Sequence, residues 1–281
     1  MSNIVSPLKI QGKKTKIVPL IVEKAESIDF DNYCEPFLGS GEVLFNISPN
    51  HAIVSDNNQL IINFFNDIKN KKFNHKDVRS FLEIHGKKLS EEGQDYFYKM
   101  RKEFNANRDS LYFLFINRSC FNGMIRFNSK GEFNVPFCRK PDRFSKAYIT
   151  KIVNQIARIE ELILEHGDNW VFICQDWSKT LKMIDPANTL VYLDPPYVNR
   201  HATYFDDWTD EKNEMLFKYL TKTDAKFILS NWKQNQWRKN DALSTFEADP
   251  KFKFTIKDHF YFVGAKIENR NPIEECLVTN F

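Results

Sequence analysis

The stretch Thr189-Leu190-Val191-Tyr192-Leu193-Asp194-Pro195-Pro196-Tyr197 decides the fold. Its first five residues form an apolar run of strand length, the pattern of a buried strand in a sheet covered by helices. The run stops at Asp194. Pro195 and Pro196 then stiffen the backbone and remove two N–H donors, leaving carbonyl oxygens as acceptors. Open α/β sheets bind ligands at the carboxyl ends of their strands, so this loop is the first candidate site.

The flanking sequence supplies the rest of such a sheet. Strands are expected at 32–35, 52–55, 170–174, 225–230, 252–256, 260–263 and 276–280. Helices are expected from Val43, over 59–68, from an N-cap at Thr209 to Leu220, and over 234–243. Between Asp67 and His166 the pattern turns helical, with apolar residues at helical spacing in 78–87, 91–104, 110–116 and 146–165. The break is 123–137, which alternates around the turn Asn128-Ser129-Lys130-Gly131 and reads as a β-hairpin. Strands separated by helices imply an α/β sheet. The expected organisation is a discontinuous sheet domain, 1–66 and 167–281, split by a mostly helical insertion at 67–166 that bears the hairpin.

With 281 residues, 42% hydrophobic and 27% charged, the composition is that of a soluble globular chain. No apolar run approaches the ~20 residues that span a bilayer. The N-terminus lacks the apolar core of a signal peptide, so no membrane association is expected. Five scattered cysteines hold no CxxC pair and six histidines no ligand spacing. That argues against disulfides and metal, and for the reducing cytoplasm. The net charge of +3 divides unevenly: 67–166 holds 20 Lys/Arg against 13 Asp/Glu, or +7, leaving −4 elsewhere. A positive middle suits a polyanion, although a solvated charged face has the same composition.

Three segments carry chemistry. Glu35-Pro36-Phe37-Leu38-Gly39-Ser40-Gly41 lies between a strand and a helix, where glycines let the backbone approach a ligand. Asp56, closing the next strand, is placed for ribose hydroxyls. Leu44 stands where a dinucleotide fingerprint needs its third glycine, so a nucleoside cofactor without pyrophosphate fits better than NAD. A simple tight turn is the plain alternative.

The Asp194–Tyr197 loop is more specific. An exocyclic aromatic amine is a poor nucleophile because its lone pair is delocalised into the ring. The Asp194 carboxylate and the Pro195 carbonyl can accept its two N–H hydrogens and localise that lone pair toward a methyl donor. Tyr197 offers a ring on which a flipped base can stack. Finally, 113–137 mixes Arg118, Arg126, Lys130 and four asparagines with aromatics. Arg pairs with guanine, Asn with adenine, and a two-stranded ribbon fits the major groove. A hairpin whose aromatics face the core would look the same.

In this order the motifs resemble the Dam family of DNA adenine-N6 methyltransferases. Lys9-Ile10-Gln11-Gly12-Lys13-Lys14 is similar to the family's K-W-x-G-G-K, the Glu35 segment to E-P-F-x-G-x-G, and Ser55-Asp56-Asn57-Asn58 to A-D-x-N. Residues 117–137 resemble N-R-x-x-x-N-G…R-x-N…G-E-F-N-V-P-F, and 275–281 resemble E-x-L-x-x-N-Y. The resemblance implies a Rossmann-like S-adenosylmethionine-dependent methyltransferase sheet with an inserted DNA-recognition domain. It implies direct methyl transfer to a flipped adenine in double-stranded DNA, by an enzyme that is either solitary or has a restriction endonuclease as genetic partner. It puts Ile10, Lys14, Glu35, Pro36, Phe37, Gly39, Gly41, Asp56, Asp176 and Asp194 at the cofactor. Asp194, Pro195, Pro196 and Tyr197 fall at the target base. Lys9, Arg118, Phe121, Asn122, Met124, Arg126, Lys130 and Arg139 fall on DNA.

Three departures stand out. Ile10 replaces an aromatic that packs on the cofactor in the family. Phe121 and Met124 replace Tyr and Leu of GATC-specific members. Residues 237–272 form a longer, poorly matched stretch where further recognition elements are expected. Asn in place of Asp194 would have pointed to RNA or protein glutamine, and Ser to cytosine-N4; a silent DNA-binding relative would lack Asp194 or the glycine turn.

Overall fold

The computed structural model describes residues 3–197, 208–235, 240–260 and 272–281. Among these, seven strands form one sheet: β1 (Asn32–Glu35), β2 (His51–Asp56), β3 (Trp170–Cys174), β4 (Thr189–Leu193), β5 (Lys226–Asn235), β6 (Lys253–Phe260) and β7 (Pro272–Thr279). Their spatial order is β3-β2-β1-β4-β5-β7-β6. The first five strands are parallel, and β7 runs antiparallel between β5 and β6. The helices are α1 (Val18–Glu26), α2 (Glu42–Ile47), α3 (Gln59–Lys69), α4 (His75–Glu92), α5 (Gln94–Asn107), α6 (Ser110–Ser119), α7 (Lys146–His166), α8 (Trp177–Thr180), α9 (Asp210–Leu220) and α10 (Ser244–Glu247).

The central strands are buried on both faces, and their residues alternate between two cores. Leu190 and Tyr192 of β4 pack with α3, α6 and α7, whereas Val191 and Leu193 pack with α9 and α10. Tyr33 and Cys34 of β1 divide the same way. This is why β4 reads as an unbroken apolar run rather than an alternating one. The first core absorbs much of the phenylalanine content: Phe45, Phe64, Phe65 and Phe172 meet at edge and stacked contacts with centroids 5.3–5.7 Å apart.

Local signals start the helices. The Asn58 side chain accepts from Leu60 N at the start of α3, and Asn74 and Asp77 close a capping box on α4. Thr209 caps α9 as its sequence predicts, accepting from Lys212 N.

Three expectations change, and one helix is added. The hairpin at 123–137 exists, but as isolated antiparallel bridges, Phe127↔Phe133 and, at its base, Cys120↔Phe137, rather than as two regular strands. The turn forms as expected: Asn128 Oδ1 accepts from Lys130 N and Glu132 N, and Gly131 takes φ +73°. The arms stay irregular because much of their backbone bonds elsewhere, Phe133 N to Asn105 Oδ1 among them. α1 was not foreseen; it is short and holds Pro19 in its first turn. The helix expected over 234–243 is partly strand, because β5 continues to Asn235 along β7 through a register shift between Trp232 and Gln234. A single turn at Asp241–Leu243 follows, and 236–239 lie outside the described residues. Last, β6 is one strand through Phe260 where two were expected, and 261–263 lie outside the described residues.

Candidate active site

The direction of strand order reverses between β1 and β4. β2 and β3 lie on one side of this pair, and β5, β7 and β6 on the other. β1 and β4 are hydrogen-bonded neighbours with Cys34 opposite Val191, so the loops at 36–41 and 194–197 leave adjacent strand ends together. A crevice at such a reversal is the ligand site of open α/β sheets.

One wall of the crevice is the glycine turn. Gly39 and Gly41 take φ of +51° and +71°, conformations in which a Cβ is strained. Leu38 N donates to Ser55 O and Gly39 N to Asp56 Oδ2, both at 2.8 Å, while Asp56 Oδ1 accepts from Asn58 N at 2.8 Å. Asp56 therefore ties the turn to the end of β2. A Cβ on Gly41 would lie 2.6 Å from the Phe45 ring, so this turn and α2 fit only around glycine. Glu35 is buried and accepts from Tyr33 OH at 2.9 Å; burial holds its carboxyl well above the usual range.

The second wall is aromatic. Phe37 stacks on Trp177 at 6.4 Å and meets Trp208 edge-on at 5.3 Å. Neither tryptophan was singled out from sequence, since nothing local marks Trp208 as a neighbour of Phe37. Asp176 caps α8 through Ser178 N and Oγ, which places it beside this aromatic group.

The third wall is the N-terminal segment. Ile10, Gly12 and Lys14 line one cleft with Glu35, Phe37, Gly39 and Asp194. Lys14, 5% exposed, puts its Nζ 3.0 Å from Asp194 Oδ1, 3.9 Å from Glu275 Oε1 and 5.8 Å from the Tyr197 ring centre. Burial raises the Asp194 carboxyl above its ordinary value, and the Lys14 ammonium opposes that shift. The segment is clamped from below by Glu42, which accepts from Ser6 N at 3.2 Å, Lys13 Nζ at 3.0 Å and Thr15 Oγ1 at 2.6 Å. Lys13 occupies a position that is glycine in the N-terminal motif it resembles, which hides this clamp from a motif reading.

The DNA candidates gather around the hairpin. Phe121 is 51% exposed, and Asn122, Arg126, Lys130 and Arg139 are also exposed, with Met124 half-buried. Arg126 Nε donates to Asn134 Oδ1 at 2.9 Å. Lys9 is docked here too: Asn117 accepts from its N–H and donates to its carbonyl, each at 2.8 Å. Burial, then the Arg143 and Arg118 guanidinium groups, lowers Lys9 to about 8. Arg118 differs from the rest. It is 5% exposed, lies 5.0 Å from the Tyr148 ring and donates to Gln155 Oε1, so here it braces α6 against α7.

The sequence model of the D12 class N6 adenine-specific DNA methyltransferases matches residues 11–257. The chain belongs to this family. A type II methyltransferase, M.MjaIII of Methanocaldococcus jannaschii, is 30% identical over 80% of this chain and 83% of its own. The DNA adenine methylase of Haemophilus influenzae is 34% identical over 83% and 84%. Type II methyltransferase M.FokI of Planomicrobium okeanokoites is 28% identical across 100% of this chain, which spans 43% of that longer protein. Membership of a D12-class methyltransferase family agrees with the sheet, the strand reversal and the Asp194–Tyr197 loop. Among the described residues, no helix is long and apolar enough to cross a membrane, and no group of His, Cys, Asp or Glu could hold a metal ion.

Proposed function

We propose that this D12-class chain methylates N6 of a flipped adenine at a specific site in double-stranded DNA, with S-adenosylmethionine as donor. The observation that carries the reading is the joint emergence of the glycine turn and the Asp194–Tyr197 loop from adjacent strands β1 and β4. The residues fit a cationic nucleoside. Asp56 stands at the end of β2 for two ribose hydroxyls, and Gly39 has no atom within 4 Å of where a Cβ would stand. Asp194 offers a carboxylate to a positively charged ligand, Glu35 a buried carboxyl as hydrogen-bond partner, and Phe37 a face beside Trp177. Bound there, S-adenosylmethionine supplies an electrophilic methyl group.

The chain's own part is to prepare the amine. Asp194 and the Pro195 carbonyl accept the two N6 hydrogens, and Tyr197 stacks on the base. Lys14 holds the Asp194 carboxylate ionised until the amine replaces it. Cys120 is no nucleophile: burial pushes its thiol up to about 12, out of reach of a thiolate at neutral pH. Residues 67–166, with their +7 charge, present the hairpin and Lys9 to DNA.

The relatives named as type II methyltransferases favour a modification enzyme paired with a restriction nuclease. Asp194→Ala should abolish transfer of labelled methyl to DNA while S-adenosylmethionine binding stays measurable. Retained transfer would remove Asp194 from the mechanism.

A further inference from the structure

The returning arm of the hairpin is bonded by side chains of a helix. Two α5 residues, Arg101 and Asn105, and Arg108 just past the helix end meet alternate hairpin residues in reverse order. Arg101 Nη1 donates to Val135 O at 3.3 Å, and Arg108 Nη2 donates to Gly131 O at 2.6 Å. Between them Asn105 makes a double contact: its Oδ1 accepts from Phe133 N at 2.8 Å and its Nδ2 donates to Phe133 O at 3.2 Å. Its amide thus replaces the peptide group of a missing neighbouring strand. Phe133 and Val135 are each 1% exposed, so the contacts are sealed by apolar packing beneath them.

The next residue carries the consequence. Asn134 accepts from Arg126 Nε at 2.9 Å, with Nη2 3.5 Å from the Asn134 carbonyl. Arg126 is exposed on the opposite arm of the hairpin. A continuous set of contacts runs from α5 through the Phe133 peptide and Asn134 to the Arg126 guanidinium. A base-reading arginine discriminates only if its fork is held to within a fraction of an ångström. We propose that Asn105 is a positioning residue for site discrimination, setting the Arg126 fork through the hairpin backbone without touching DNA itself. This rests on the reading of the hairpin as the part that reads the site.

The test uses the whole enzyme. Wild type, Asn105→Ala, Asn105→Asp and Arg126→Ala are expressed in cells lacking adenine methylation, and single-molecule sequencing of their DNA gives methylation at the preferred site and at sites one base removed. Asn105→Asp keeps the acceptor for Phe133 N and loses the donor to Phe133 O, so it carries the test should the alanine variant not fold. The expected result is about a tenfold loss of discrimination for Asn105→Ala and less for Asn105→Asp, with cofactor KM unchanged and Phe133 amide exchange accelerated. Faster exchange with wild-type discrimination, while Arg126→Ala does relax the site, would overturn the role of Asn105 alone. An unchanged pattern for Arg126→Ala overturns the hairpin reading, and the proposal with it.

Discussion

Lys14 Nζ lies 3.0 Å from Asp194 Oδ1, although the two residues are 180 positions apart in the sequence. Both are largely removed from water, with side-chain exposures of 5% and 22%. A buried ion pair contributes less through its attraction than it costs to break, because the survivor is left charged and dry.

The first prediction concerns that survivor. Asp194 must be ionised to accept an amine hydrogen, so activity falls as pH drops through its folded pKa. Burial already raises that pKa and Lys14 lowers it. Lys14→Gln should therefore move the acid limb of kcat/KM to higher pH. Profiles of wild type and variant with the same acid limb would show that Lys14 does not tune Asp194.

Lys9 supplies a second pH dependence of opposite origin. With its folded pKa lowered to about 8, it is charged below that value and neutral above it. DNA affinity should weaken as pH rises through 8, and Lys9→Met should abolish that dependence. Fluorescence anisotropy of labelled duplex across pH 6.5–9 reads the effect; the variant should also lower the slope of log K against log salt by about 1.

The two turn glycines should differ. Both need a positive φ, which costs a residue with a Cβ about 1–2 kcal/mol. At Gly39 nothing stands within 4 Å of the added carbon, whereas at Gly41 it meets the Phe45 ring at 2.6 Å. Thermal unfolding should place Gly41→Ala below Gly39→Ala by about 1–3 kcal/mol. Equal losses would mean that backbone strain alone sets the cost.

Glu42 is the clamp of the N-terminal wall. Glu42→Gln removes the charge behind its contacts with Lys13 and Thr15, a loss of about 2 kcal/mol by analogy with charged hydrogen bonds. Cofactor KM should rise more than kcat falls, because Ile10, Gly12 and Lys14 line the cleft and the wall that carries them is loosened. A variant with unchanged KM would separate the clamp from the cleft.

What the sequence made legible was whatever depends on near neighbours. β1, β3 and β4 begin and end where the sequence places them, and Thr209 caps α9 as its position suggests. The Glu35–Gly41 turn and the Asp194–Tyr197 loop were legible because each is a continuous motif. Contacts between distant segments were not. Nothing near Phe37 announces Trp208, nothing near Lys14 announces Glu275, and Arg118 looks like a surface cation until α7 packs over it. The error over 234–243 has the same source: β5 is lengthened by pairing with β7, a partner some 40 residues away. Propensity in a short window yields to such tertiary pairing.

The pairing of β1 with β4 has a kinetic consequence. It joins residues 157 positions apart, Asn32 to Thr189 among them, with every helix from α2 to α8 in the closed loop. Such a pairing pays its closure entropy late, after the local helices have formed. Refolding from denaturant should therefore show helical signal recovering ahead of methyl-transfer competence. The enzyme acquires its shape in pieces and its chemistry in one final act of strand registration.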